Sequence, residues 1–197
     1  MAIIQVFAKP PVAGKVKTRL IAELGEKVAT DIYRFCLNYS LDMVRRSGYE
    51  YQIWLSEDSS DEIFRGEAYN LQQGADLGSR MLQAISSQLQ PNDSAKVVLI
   101  GSDCLDITFS HLQQAAEALN YSDVVLLPTL DGGYALIACR KVDARLFVEV
   151  KWSSSQVLEQ TLENARNLNY SVKILETVRD IDTLLDVNHY AELKSLI

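Results

Sequence analysis

Short apolar runs alternate with segments of helical periodicity along the whole chain, and this alternation restricts the fold more than any other feature. Residues 3–8 form a β-branched apolar run closed by Lys9-Pro10-Pro11, where two prolines exclude a helix and impose an extended loop. After Thr18, Val28, Ile32, Phe35, Tyr39 and Met43 recur every three or four residues, which predicts a helix closed by Gly48. Strands are predicted at 49–55 and 68–71. An amphipathic helix marked by Leu77, Met81, Ile85 and Leu89 follows and stops near Pro91. Lys96–Ile100 reads as a fully buried strand, followed by a helix at 109–119 and another strand at 123–127. Pro128 breaks that strand, and Asp131-Gly132-Gly133 predicts a reversal into a strand at 134–138. A helix at 153–168, a strand at 171–175 and a closing helix from about Leu184 complete the pattern. Such alternation calls for one α/β domain over residues 1–197, a three-layer α/β/α sandwich around a mostly parallel sheet. Ligands of these sheets collect outside the carboxyl ends of the strands.

Composition narrows the classes. The 197 residues carry 19 Lys+Arg against 26 Asp+Glu, a net charge of −7, which excludes a protein that coats a nucleic-acid polymer. Binding of one nucleotide stays open, because a few cations in one loop create a local positive field. Cys36, Cys104 and Cys139 are odd in number and form no CxxC pair, the pattern of reduced thiols in a cytoplasmic protein. The six-residue apolar run near the N-terminus lacks a preceding basic segment, so neither a signal peptide nor a membrane span is expected there.

The loop after the first strand holds Lys9, Lys15, Lys17 and Arg19 around Gly14, just before a helix. Glycine admits backbone N–H groups to an anion, and Arg19 can grip a phosphate in bidentate fashion, so a diphosphate is the natural guest. A solvated basic loop is the alternative. The loop is not a Walker A motif, since Lys9 stands where a second glycine is needed, and no GxGxxG occurs. Gly101-Ser102-Asp103 follows the buried strand and places a carboxylate where Mg²⁺ or Mn²⁺ can bind. Asp103 reads otherwise as a turn residue and Asp106 as a helix N-cap. Asp76 in the glycine-rich 73–81 segment is either a nucleotide neighbour or a cap, and Asp131 either faces a ligand or only shapes a hairpin. Asp180 and Asp182 flank Ile181, so an extended backbone puts both carboxylates on one side, toward a metal or a cap. Trp152 reads as a helix-start neighbour or a stacking platform.

Taken in order, Lys9-Pro10, Gly14 and Lys17-Thr18-Arg19-Leu20, Gln73 with Asp76-Leu77-Gly78 and Arg80-Met81, Gly101-Ser102-Asp103-Cys104, Asp131-Gly132-Gly133-Tyr134, Trp152-Ser153 and Asp180-Ile181-Asp182-Thr183 resemble a known family. It is the bacterial glycosyltransferase-like family of the nucleotide-diphospho-sugar transferase superfamily, of GT-A fold, related to the molybdenum-cofactor and phospholactate guanylyltransferases. The resemblance runs from residue 3 to about 193. It implies that Lys9, Gly14, Lys17 and Arg19 bind the nucleotide phosphates, with Asp76 and Gly78 near the nucleotide. It implies a metal on Asp103 and Asp182, and places Asp131 toward the transferred group or acceptor. Leu105 departs from the family, which carries proline there.

Three functions follow as expectations. The first is a metal-dependent glycosyltransferase acting from a nucleotide-sugar on a small-molecule acceptor, with Lys17, Arg19, Asp103 and Asp131 as catalytic groups. The second is a nucleotidyltransferase releasing pyrophosphate from a nucleoside triphosphate. The third is a non-catalytic nucleotide-binding module. A homodimer is compatible with each.

Overall fold

The structure, a computed structural model, describes residues 2–90 and 94–197. The predicted helix stop at Pro91 lies outside the described residues. The strands are β1 (Ala2–Ala8), β2 (Glu50–Leu55), β3 (Tyr69–Leu71), β4 (Lys96–Ile100), β5 (Val124–Pro128), β6 (Tyr134–Cys139) and β7 (Val172–Ile174). They form one sheet in the order β3-β2-β1-β4-β6-β5-β7. Among the described residues, only β6 runs antiparallel to its neighbours, β4 and β5. The helices are α1 (Thr18–Arg45), α2 (Leu77–Leu89), α3 (Phe109–Ala118), α4 (Val157–Asn167), α5 (Leu184–Val187) and α6 (Ala191–Lys194). The expected mostly parallel, three-layer α/β/α architecture is what the chain adopts.

Period-two alternation distributes the strands' side chains between two cores. Ile4, Val6 and Ala8 of β1 join Leu37 and Leu41 of α1 and Leu112 of α3 on one face. Phe7 joins Met81 and Ile85 of α2 and Ala165 of α4 on the other. A smaller third cluster seals α1 against the end of the chain through Leu20, Ile32, Ile181, Val187 and Leu193.

Three elements depart from the periodic reading. The helix after Thr18 is broken at Gly25, whose φ of 77° and ψ of 163° are non-helical, so its first turns are kinked from the rest. The helix expected from 153 begins only at Val157, because Ser153 takes φ 63° and the serine run forms turns. The closing helix is two single turns, α5 and α6.

The strand order places a reversal between β1 and β4. From β1 the chain moves outward through β2 and β3, then α2 returns it to β4 on the other side of β1. At such a switch point the two loops diverge and leave a crevice above the carboxyl ends. Those loops are the Lys9–Lys17 turn and Gly101-Ser102-Asp103.

Candidate active site

A cleft of about 450 Å³ occupies that crevice, lined by Lys9, Lys17 and Arg19 on one wall and Ser102, Asp103 and Asp182 on the other. An adjoining hollow of about 250 Å³, open toward Asp131 and Asp180, continues it over β4 and β6.

Lys17 is the centre of the arrangement. Its backbone is left-handed at φ 46°, ψ 44°, a conformation that disfavours a side chain with a Cβ. This turn drives the side chain inward until only 3 % of it is exposed. Its Nζ donates to Asp103 Oδ2 at 3.0 Å and Asp182 Oδ1 at 3.4 Å. Burial alone would lower the ammonium's pKa; the two carboxylates outweigh it and hold it above the usual lysine range. In return the Lys17 charge, against burial, lowers the Asp103 carboxyl below its ordinary value. Arg19 stays open and donates from Nη1 to Asp182 Oδ2 at 2.7 Å.

The late acidic segment reaches the site along the sheet's end. Thr129 and Val178 form a parallel bridge, and the Ile181 N–H donates to the Asp103 carbonyl at 3.3 Å. Ile181 is fully buried, and Asp182 lines the cleft while Asp180 lines the adjoining hollow, on the open side of the segment as the alternation predicts. Carboxylate oxygens of Asp131, Asp180 and Asp182 lie within 4.8 Å of one another. Burial, then the charges of Asp131, Asp182 and Asp103, push the Asp180 carboxyl up to about 6. Asp131 is held through Oδ1, which accepts from the Thr129 hydroxyl at 2.6 Å and the Gly133 N–H at 2.9 Å. The hairpin tip itself packs so closely on the Ser155 backbone that a Cβ on Gly132 would lie 2.3 Å from the Ser155 carbonyl oxygen.

The structure therefore brings Lys9, Lys17, Arg19, Asp103, Asp131 and Asp182 together. Three other predicted residues lie off the cleft wall. Gly14 sits in an exposed turn beside the Glu26 carboxylate. Asp76 caps α2 in a reciprocal capping box with Ser79. Gly78 is buried where a Cβ would meet Trp152 at 2.6 Å and Phe147 at 2.8 Å, so its smallness lets α2 approach the Trp152 loop. Trp152 packs on Phe147 and lines the adjoining hollow. Asp103 stands outside the close acidic trio, paired with Lys17. Asp106 neither caps α3, which Thr108 does, nor faces the cleft; it accepts from the Arg179 N–H and the Tyr190 hydroxyl, each at 2.9 Å. Leu105, at the family's proline position, packs in the third core cluster beside Ile181.

Periodicity concealed two contributors. Tyr33 lies on the buried face of α1, yet its hydroxyl accepts from the Lys9 N–H at 2.8 Å and lies 3.0 Å from Ser102 Oγ, clamping the two loops of the crevice together. Arg80 lines the cleft with its Nε tied to the Gly74 carbonyl at 3.2 Å; its place in α2 just after a glycine turn was the available signal.

This fold and site define a member of the nucleotide-diphospho-sugar transferase superfamily. The chain belongs to the bacterial family described as "Uncharacterized protein conserved in bacteria (DUF2064)", whose profile matches residues 41–154. A protein of Desulfovibrio desulfuricans G20, provisionally described as a nucleotide-diphospho-sugar transferase, superposes with a TM-score of 0.88 at 31% identity, over 98% of this chain and 87% of that one. A nucleotidyl transferase from Methanothermobacter shares the fold at TM-score 0.62 and 15% identity, over 100% and 99% of the two chains. So does a Mycobacterium tuberculosis protein in complex with manganese, at TM-score 0.53 and 17% identity, over 98% and 99%. No curated protein matches the sequence.

Proposed function

We propose that this protein is a divalent-metal-dependent transferase that takes a sugar from a nucleoside-diphosphate donor and passes it to a small-molecule acceptor. The observation that carries the reading is the interleaving of Lys17 and Arg19 with Asp103 and Asp182 at the strand-order reversal. A site for a diphosphate and a cation needs both signs of charge within one small volume.

The acidic trio fits Mg²⁺ or Mn²⁺: its donors are all carboxylate oxygens, and burial, then the neighbouring carboxylates, push Asp180 up to about 6. Asp180 and Asp182 would hold the ion, leaving room for phosphate oxygens and water. When bound, the ion neutralises charge on the diphosphate. Lys17 and Arg19 stabilise the charge that gathers on the leaving phosphate oxygen, in a site where such groups need little reorganisation. Asp103 and Tyr33 hold Lys17 and its loop in place. Asp131, with one oxygen anchored by Thr129 and Gly133, presents the other to the acceptor hydroxyl and accepts its proton.

Nucleotidyl transfer is the second reading, favoured by the end-to-end likeness to the Methanothermobacter enzyme. Incubation with nucleotide-sugars or nucleoside triphosphates, each with Mg²⁺ or Mn²⁺, separates the two. Release of a nucleoside diphosphate is the expected result. Release of pyrophosphate transfers the assignment to the second reading, and no product from any donor rejects both.

A further inference from the structure

The hollow beside the cleft differs from it in chemistry. Phe7, Met81, Leu99, Tyr134, Ile137 and Trp152 contribute its walls. Its polar side chains are Asp103, Thr129, Asp131, Ser153, Ser154 and Asp180, of which Asp103 and Ser153 also line the main cleft. Several are already engaged: Thr129 donates to Asp131, and Ser154 Oγ donates to the Lys151 carbonyl at 2.6 Å. A sugar ring set against the Phe7, Met81, Leu99, Ile137 and Trp152 wall would leave the hydroxyls on that side desolvated and without partners. An apolar ring or chain loses nothing comparable and gains by leaving water.

From this contrast we infer that the acceptor is an alcohol whose hydroxyl is attached to an aryl or medium-length alkyl group, and that the apolar group fills the hollow. The volume of about 250 Å³ suits such a group; for scale, an apolar cavity of about 150 Å³ takes up benzene. Leu77 and Phe7 line both spaces, so the apolar wall continues from the hollow into the cleft. The hydroxyl then lies at the mouth, beside the free oxygen of Asp131. This rests on the transfer reading above. In the reaction, the alcohol oxygen forms a bond to the anomeric carbon and the bond from that carbon to the diphosphate oxygen breaks, leaving its electron pair on the phosphate. The hydroxyl proton passes to Asp131 and then to water.

The test is ligand-observed NMR on the intact protein with Mg²⁺ and a nucleoside diphosphate. Benzyl alcohol and 1-hexanol are titrated against glycerol and methyl glucoside. Nucleoside diphosphate binding is measured separately by calorimetry. The apolar alcohols should bind about tenfold more tightly than the polyols. Val157→Thr, in the first turn of α4 and lining the hollow but not the main cleft, adds a hydroxyl to the apolar wall and should reduce that preference while diphosphate binding persists. Equal or better binding of the polyols overturns the inference, and so does diphosphate binding with no alcohol bound. Failure of the diphosphate itself to bind overturns the transfer reading as well.

Discussion

Acidic groups at the two ends of the sheet, Asp123 at one and the Asp103, Asp131, Asp180 and Asp182 set at the other, behave in opposite ways. At the amino end of β5, the Asp123 side chain is 6 % exposed and fully partnered. Ser171 donates to Oδ2 from its backbone N–H at 2.8 Å and its hydroxyl at 3.0 Å. Arg140 donates to Oδ1 from Nε at 2.9 Å and Nη2 at 2.8 Å, and Lys141 Nζ lies 3.2 Å from Oδ2. Burial would raise this carboxyl, but the Ser171, Arg140 and Lys141 contacts outweigh it and hold it at about 2. At the carboxyl ends, Asp103 and Asp182 pair with Lys17 and Arg19, Asp131 and Asp180 crowd Asp182, and Asp180 is pushed the other way. Asp123 staples β5, β6 and the start of β7. The Asp180 carboxyl instead meets burial and like charge, a perturbation more typical of a functional site than of a staple.

Substitutions should separate the two ends. The largest effect belongs to Lys17→Met, which keeps the side-chain volume. Turnover should fall by about 10²–10³, the usual loss on removing a group that stabilises transition-state charge. A steady-state assay with the active donor checks this. Next is Asp123→Ala, expected to lower stability by about 2 kcal/mol, less than a fully buried pair because Arg140 and Lys141 are partly open to water. Urea unfolding should show that loss, with turnover of the folded enzyme unchanged.

Asp180→Asn should act with the opposite sign. Removal of a repelled charge should raise the metal-free melting temperature by about 2–4 °C, on the order of 1 kcal/mol after discounting for its exposure. It should also abolish any stabilisation by Mn²⁺. The smallest effect is one of pH. Asp123 is depressed when folded, so its contribution is complete above an unfolded carboxyl pKa near 3.8 and disappears as pH falls through about 2. The stability gap between wild type and Asp123→Asn should therefore narrow between pH 5 and pH 2 in urea titrations.

Much of this was legible in the sequence because it rests on periodicity and on charge at strand ends. Apolar runs gave β1 and β4, and the first loop's cations and Asp103 followed directly at their carboxyl ends. Gly25 was hidden because apolar spacing continues past it, and Ser153 because a serine run after Trp152 reads as a helix start. Asp76 and Gly78 match the family pattern, yet their contacts are a helix cap and a close packing of α2 on Trp152. Local pattern cannot tell such roles from ligand binding. Nor does spacing reveal that Lys17 meets a carboxylate 165 residues away, or that the Tyr33 hydroxyl clamps two loops from a helix's buried face.

The central claim is that the Lys17–Asp182 crevice binds a nucleoside diphosphate together with a divalent cation. Calorimetric titration of the four common nucleoside diphosphates, with and without Mn²⁺, into wild type and Asp182→Ala tests it most directly. Binding of at least one diphosphate to the wild type, strengthened by Mn²⁺ and lost in Asp182→Ala, is the predicted result. Wild-type protein that binds none of them at millimolar concentration with Mn²⁺ present, or an Asp182→Ala variant that binds equally well, contradicts it.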